Sequence, residues 1–341
     1  MNLFEKIGAV FWKRLEGRLR AFWRVGLHGA LFFLLTSAFS TLLYAVASNL
    51  NILSASNIQN LAAANRPLLA ALISPTATFL MMLAATFLAG RWIDRRKFTA
   101  FGLHFSPAWW GDLGFGLVLG AVLMGLIFGV GLLTGTIAVE DMLVSHLPSR
   151  TFFPVFMYVL VKYIFVGIYE ELAFRGYYLI NLAEGFYSLT PVSRRNGVLF
   201  AWTVSSVVFG FLHAFNPNAS LISTLNIILA GLFMGLGMLL TGELAIPIGV
   251  HISWNFFQGA VFGFPVSGTR NAGTVIGTKL TGPAWFTGGS FGPEAGVLGL
   301  LALILGCLLT VLWVRRKGRF AIEESLAVYQ NDQPAGEQPV E

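Results

Sequence analysis

Eight long stretches of this chain are almost free of charge, and they limit what it can fold into. They lie at roughly 25–48, 67–90, 113–136, 152–180, 197–215, 219–242, 244–264 and 295–314. Seven of them hold no Asp, Glu, Lys or Arg. A helix needs about 20 apolar residues to cross about 30 Å of hydrocarbon. An open strand edge would leave backbone groups unpaired in lipid, and barrel strands are shorter and alternate in polarity. The expected fold is therefore all-α, a polytopic integral membrane helix bundle of about eight transmembrane helices. Only 11% of the 341 residues are charged, against about 25% in a soluble domain. A soluble globular enzyme and a disordered chain are both excluded, and without a G-X-Y period so is collagen.

Net charge is +6, from 22 Lys+Arg and 16 Asp+Glu. The bases sit in short clusters between apolar runs, which points to a membrane surface and away from nucleic acid. Lys6, Lys13, Arg14, Arg18, Arg20 and Arg24 precede the first run. Arg91, Arg95, Arg96 and Lys97 follow the second, Arg194 and Arg195 the fourth, and Arg315, Arg316, Lys317 and Arg319 the eighth. With eight alternating spans these clusters share one side, while Arg66, Arg150, Arg270 and Lys279 stand singly on the other. The positive-inside rule then puts both termini in the cytoplasm, of a bacterial cytoplasmic membrane.

Six regions follow. Residues 1–24 form a basic cytoplasmic segment, and residues 25–140 the N-terminal transmembrane helices. A core spans 150–260, a Gly-rich external loop 265–294, a last transmembrane helix 295–314 and a polar disordered tail 315–341. Phe11, Trp12, Leu15, Leu19 and Trp23 among the N-terminal bases suit a segment lying flat on anionic headgroups, or a solvated tail serving topology. Ala45-Val46-Ala47 imitates a cleavage site, but the apolar run is too long for a signal peptide. The lone Cys307 lies in an apolar run, where it reads as inert packing.

Ionisable groups inside a span cost roughly 2.5–3.5 kcal/mol each on insertion scales, so those present are candidates for function. The fourth stretch carries Lys162, Glu170, Glu171 and Arg175. Glu171 and Arg175 are four apart, share a helical face and can pair. Glu170 points about 100° away and has no cation on its own helix, which leaves it free for proton transfer. The rival reading keeps both acids wetted at the cytoplasmic end as topological charges. Phe209-Gly-Phe-Leu-His213 closes the fifth stretch. His251-Ile-Ser-Trp-Asn255 lies in the seventh, with His251 and Asn255 on one face. His28, His104 and His146 fall at or outside span ends. Measured from the cytoplasmic ends, Glu170 comes about 15 Å in, His251 about 11 Å and Asn255 about 17 Å, but His213 about 24 Å. Either the fifth span starts after 197 or residues 181–203 include an interfacial segment.

Together the three motifs resemble the CAAX protease and bacteriocin-processing (CPBP, Abi-type) family of intramembrane proteases. Its pattern is Glu-Glu-x-x-x-Arg, Phe-x-x-x-His and His-x-x-x-Asn/Asp on separate helices. Glu170-Glu171…Arg175, Phe209…His213 and His251…Asn255 supply it in order, within about 150–260. Phe174-Arg-Gly176 and Gly242-Glu-Leu-Ala-Ile-Pro247 add local matches. The resemblance implies an intramembrane endopeptidase in which Glu170 activates water with His213. His251 and Asn255 would stabilise the oxyanion, and Glu171, Arg175 and Phe209 would give support. Family members are usually described as metalloproteases, so Zn²⁺ on Glu170, His213 and His251 is one version; Glu170 acting alone as general base is the other. There is no His-Glu-x-x-His motif. The expected substrate is a membrane-associated protein or peptide, including lipidated and bacteriocin-like ones. Two rival classes remain: a non-catalytic immunity or scaffold protein, and a proton-coupled transporter using the same acids.

Overall fold

The computed structural model describes residues 10–13, 16–49, 67–147, 151–189 and 191–329. Lys6, Arg14, Leu15, Arg66 and Arg150 lie outside them, as do residues 330–341 of the expected tail. Short strands β1 (Trp12–Lys13) and β2 (Arg18–Leu19) pair antiparallel before the first helix. The helices are α1 (Ala21–Asn49), α2 (Pro67–Leu88), α3 (Pro107–Leu133), α4 (Phe152–Glu171) and α5 (Leu179–Tyr187). They continue as α6 (Arg194–His213), α7 (Leu221–Thr241), α8 (Ala245–Asn255) and α9 (Val297–Arg316). Strands β3 (Ile137–Ser145) and β4 (Gly273–Leu280) form an antiparallel ribbon, from Ile137 opposite Leu280 to Ser145 opposite Gly273. The protein is an all-α polytopic membrane bundle: among the described residues, seven helical segments are long and apolar enough to cross a bilayer.

The seventh expected stretch, 244–264, is the one that forms a shorter helix. Helix α8 continues in a π-helical turn, Phe256–Val261, and ten of its residues are buried. It runs parallel to α3 at backbone contact. A Cβ on Gly116 would fall 2.6 Å from the Ile246 carbonyl oxygen, and one on Gly249 2.5 Å from that of Leu113. Small residues are the means by which helices approach in lipid, where no hydrophobic drive joins them. Local signals set the starts. Ser106 caps α3 by accepting from the Trp109 N–H, with Pro107 in the first turn, so α3 begins before the expected 113. Ser220 and Ser223 form a reciprocal capping box on α7, and Gly242, at φ 70°, ends it.

Helix α4 does not stop near 180. A π-helical stretch, Leu172–Tyr178, joins it to α5, making one apolar path from Phe152 to Tyr187. This resolves the depth conflict. Glu170 lies about 26 Å from the Tyr187 end and His213 about 28 Å from the Arg194 end, so they reach one level. The α7–α8 turn is tucked into the bundle, with the Leu244 N–H bonded to the Gly102 carbonyl at 2.9 Å. The Leu244 side chain also lies against Gly176. Six residues up α4 from Gly176 and seven up α8 from Leu244 bring Glu170 and His251 to similar height.

The bundle has a basic end and a ribbon end. The bases near the first two spans were expected to mark topology at a wet surface, but three of them are buried. Arg18 and Arg24 bond Glu184 at 2.8 and 2.7 Å, Arg96 bonds it as well, and Arg24 also holds Asp94 at 2.6 Å. Residues 317–329 of the expected disordered tail are folded. The Tyr329 ring lies 3.4 Å from the Arg18 guanidinium centre, and Lys317 and Arg319 hold Asp112 at 2.8 and 2.9 Å. His28, placed by the sequence at a span end, is fully buried between Tyr178 and Thr86.

Candidate active site

Four elements bring the polar residues of the three motifs together. Glu170 and Glu171 end α4, Arg175 sits in the π-helical stretch after it, Phe209 and His213 end α6, and His251 and Asn255 lie on α8. Glu170, Phe209, His213, His251 and Asn255 line one cavity of about 260 Å³ between the helices. Two of the motifs are followed at once by π-helical turns, at Leu172 and Phe256. Such turns shift the register of a helix and are frequent at functional sites.

The two adjacent acids are in different environments. The Glu171 side chain is 0% exposed, while that of Glu170 is 17% exposed, into the cavity. Arg175 donates to Glu171 Oε1 at 2.9 Å and to the Gly231 carbonyl at 3.2 Å. The same Oε1 accepts from His251 Nδ1 at 2.7 Å. Glu171 thus supports both Arg175 and the His251 ring, a second task that its four-residue spacing to Arg175 did not reveal. The Arg175 guanidinium also lies 4.3 Å from the Phe209 ring centre, which explains the aromatic in that motif. Among the described residues Glu170 receives only the Tyr169 hydroxyl, at 3.3 Å, and it stands 3.8 Å from His251 Nε2.

The hydrogen bonds assign the histidine tautomers. His213 Nδ1 lies 2.8 Å from the Phe209 carbonyl, which can only accept, so Nδ1 carries the proton and Nε2 keeps its lone pair. His251 Nδ1 faces the Glu171 carboxylate, which leaves Nε2 toward Glu170. A carboxylate that orients a histidine in this way also supports metal ligation. The donor types suit zinc, but among the described residues no three His, Cys, Asp or Glu converge closely enough to hold a metal ion.

Comparison with known families adds an independent observation. Residues 152–257 match the family described as type II CAAX prenyl endopeptidase Rce1-like. Over that segment the match supports the CAAX (CPBP) intramembrane protease family that the three motifs resemble. The matched CAAX-protease core begins at α4 and ends just past α8, so it contains all three motifs. No curated protein and no solved structure matches the chain.

Sequence reasoning missed several residues around this core. Asn216, Ser267 and Glu294 line the same cavity, beside Lys162, which the sequence had already marked as an ionisable group of the fourth stretch. Ser267 and Glu294 come from the 265–294 loop, which the sequence presented as an external connection. One signal was available: Glu294 directly abuts the last apolar run, with no base within four residues of it. A second, more apolar cavity of about 380 Å³ shares Glu170, His213 and Asn216, and extends to Phe32, Met82 and Phe174.

Proposed function

We propose that this protein hydrolyses peptide bonds of membrane-associated proteins or peptides, with Glu170 as general base. One observation carries the assignment: of two adjacent intramembrane acids, Glu171 is fully buried and paired, and Glu170 faces the cavity with no arginine or lysine on it among the described residues. A water in the cavity gives a proton to Glu170 as its oxygen attacks the scissile carbonyl carbon. His213, through the Nε2 lone pair left by its bond to Phe209, orients that water. The oxyanion forms beside His251 and Asn255. The Asn255 amide can donate to it, and the His251 ring is held in place by Glu171. When the C–N bond breaks, Glu170 returns the proton to the leaving amine, and the new carboxyl-terminal and amino-terminal fragments depart.

Zn²⁺ on Glu170, His213 and His251 would be the alternative form of the site and would require these side chains to draw closer than they stand; its chemistry would be to acidify water. Metal analysis of purified protein, with and without chelator, decides between the two. The apolar cavity beside the acids suits a substrate that carries lipid or a hydrophobic segment, and the basic end would face the cytoplasm.

The decisive experiment compares membrane proteomes of cells carrying wild type and Glu170→Ala. Substrate fragments should vanish in the variant while the variant still inserts. Fragments that persist overturn the proposal. Proton-coupled flux without cleavage in proteoliposomes would make the protein a transporter, and a phenotype untouched by Glu170→Gln would make it a scaffold or immunity protein.

A further inference from the structure

The matched family segment ends at 257, yet a third carboxyl reaches the catalytic cavity from outside it. Glu294 sits on a 3₁₀ turn, Pro293–Ala295, just before α9, and is 6% exposed. Its Oε2 accepts the Ser267 N–H at 2.9 Å and its Oε1 the Ser267 hydroxyl at 3.2 Å. Ser267 is held at φ 45°, a left-handed conformation that a serine keeps only under external constraint. The surroundings supply that constraint. Gly268 N–H bonds the Phe291 carbonyl at 2.8 Å, and Gly292, at φ 114°, packs directly on Pro265. Among the described residues no basic side chain forms an ion pair with Glu294. The ionisable groups sharing its cavity are Glu170, Lys162 and Tyr163 from α4, His213 from α6 and His251 from α8. Burial pushes the Glu294 carboxyl up to about 7, against the Ser267 bonds, which act in the other direction.

A peptide entering this cavity brings backbone N–H and C=O groups, each costly if left unpaired in a low-dielectric site. The other polar groups of the walls are largely committed. His213 Nδ1 is on Phe209, His251 Nδ1 on Glu171 and the Tyr163 hydroxyl on Asn271. Glu294 is not saturated: Ser267 gives one bond to each oxygen and the Gln258 side chain lies within reach of the carboxyl, which still leaves a lone pair for a further donor. We infer that Glu294 is a substrate-positioning residue, hydrogen-bonding the backbone of the peptide laid beside Glu170. The inference rests on the endopeptidase reading of the cavity and adds to it a residue from beyond the family core.

The test uses the full chain in lipid nanodiscs and a degenerate library of dansylated apolar decapeptides. Peptide retention is measured on a Glu170→Ala background, and cleavage on the wild-type background. Glu294→Leu should weaken retention about tenfold, the size of one hydrogen bond, and Glu294→Gln should stay within about threefold of the parent. In the cleaving background the Leu change should raise KM and leave kcat nearly unchanged, the mark of lost uniform binding. Retention untouched by Glu294→Leu overturns the inference. So does a fall in kcat at constant KM, or a joint fall of retention and melting temperature in both variants. A parent that retains no peptide overturns it as well. If the parent retains peptides and the wild type cleaves none, the endopeptidase reading fails, and the retention ratio still decides the role of Glu294.

Discussion

Two buried charge clusters lie along the path from α4 to α5, and they are built differently. At the basic end, Glu184 takes three arginines, and Arg24 spans to Asp94 as well. At the cavity, Glu171 takes Arg175 and His251, but its neighbour Glu170 takes no arginine or lysine. The first cluster has its charges compensated inside protein, which suits a fastener. The second leaves one acid beside a histidine alone, among the described bases, and next to open space, which suits proton transfer. In a membrane the difference is sharp, because an unmatched ionisable group at the bilayer centre costs roughly 2.5–3.5 kcal/mol on insertion scales.

The contrast can be broken from either side. Glu170→Ala should lower the cleavage rate by about 10²–10⁴-fold, the usual worth of a general base, with little change in the melting curve. Steady-state assays in nanodiscs alongside thermal melts check it, and a large loss of stability would place Glu170 with the fasteners. Glu184→Gln should do the reverse. Removing the common partner of three buried arginines should cost about 3–5 kcal/mol of stability, with kcat of the folded fraction unchanged. Unfolding in denaturant, paired with active-site titration, reads both. Asn255→Ala should lower kcat by about 10²–10³-fold with little effect on KM, if its amide serves the oxyanion. A shift confined to KM would remove it from that role.

The smallest effect concerns pH. The folded protein holds the Glu294 proton more tightly than the unfolded chain does, since burial raises this carboxyl to about 7 from its ordinary 4.5. Stability from this group is complete below the unfolded value and is lost as pH rises through the folded one. Melting curves across that window should fall less steeply for Glu294→Gln than for wild type. Equal slopes would show that Glu294 has ordinary proton affinity.

Much of this was legible in sequence, for reasons particular to membranes. Scarcity of charge exposed the spans, and within them it exposed Glu170, Glu171, Arg175, His213 and His251. Helical spacing then separated the paired acid from the free one. Other features were not legible. The π-helical stretch after Glu171 carries no residue signature, so α4 was ended early and His213 looked too deep. Arg18, Arg24 and Arg96 looked like surface charges because their partners, Glu184 above all, lie far along the chain. Glu294 and Ser267 meet only after the ribbon between β3 and β4 has folded the 265–294 segment back, a contact between distant positions that no local pattern encodes.

The link from Arg24 to Glu184 also sets a schedule for biogenesis. Arg24 belongs to α1, and Glu184 follows it 160 residues later in synthesis. At typical synthesis speeds that interval is on the order of 8–30 s. Asp94 can meet the guanidinium after 70 residues, but the Glu184 carboxylate, which also gathers Arg18 and Arg96, is missing until the interval ends. Helix α1 must therefore wait with its charged end in the headgroup region and settle only when α5 emerges. A stall or truncation between α2 and α5 would leave α1 loosely seated, exposed to quality-control proteases that sample unfinished membrane proteins.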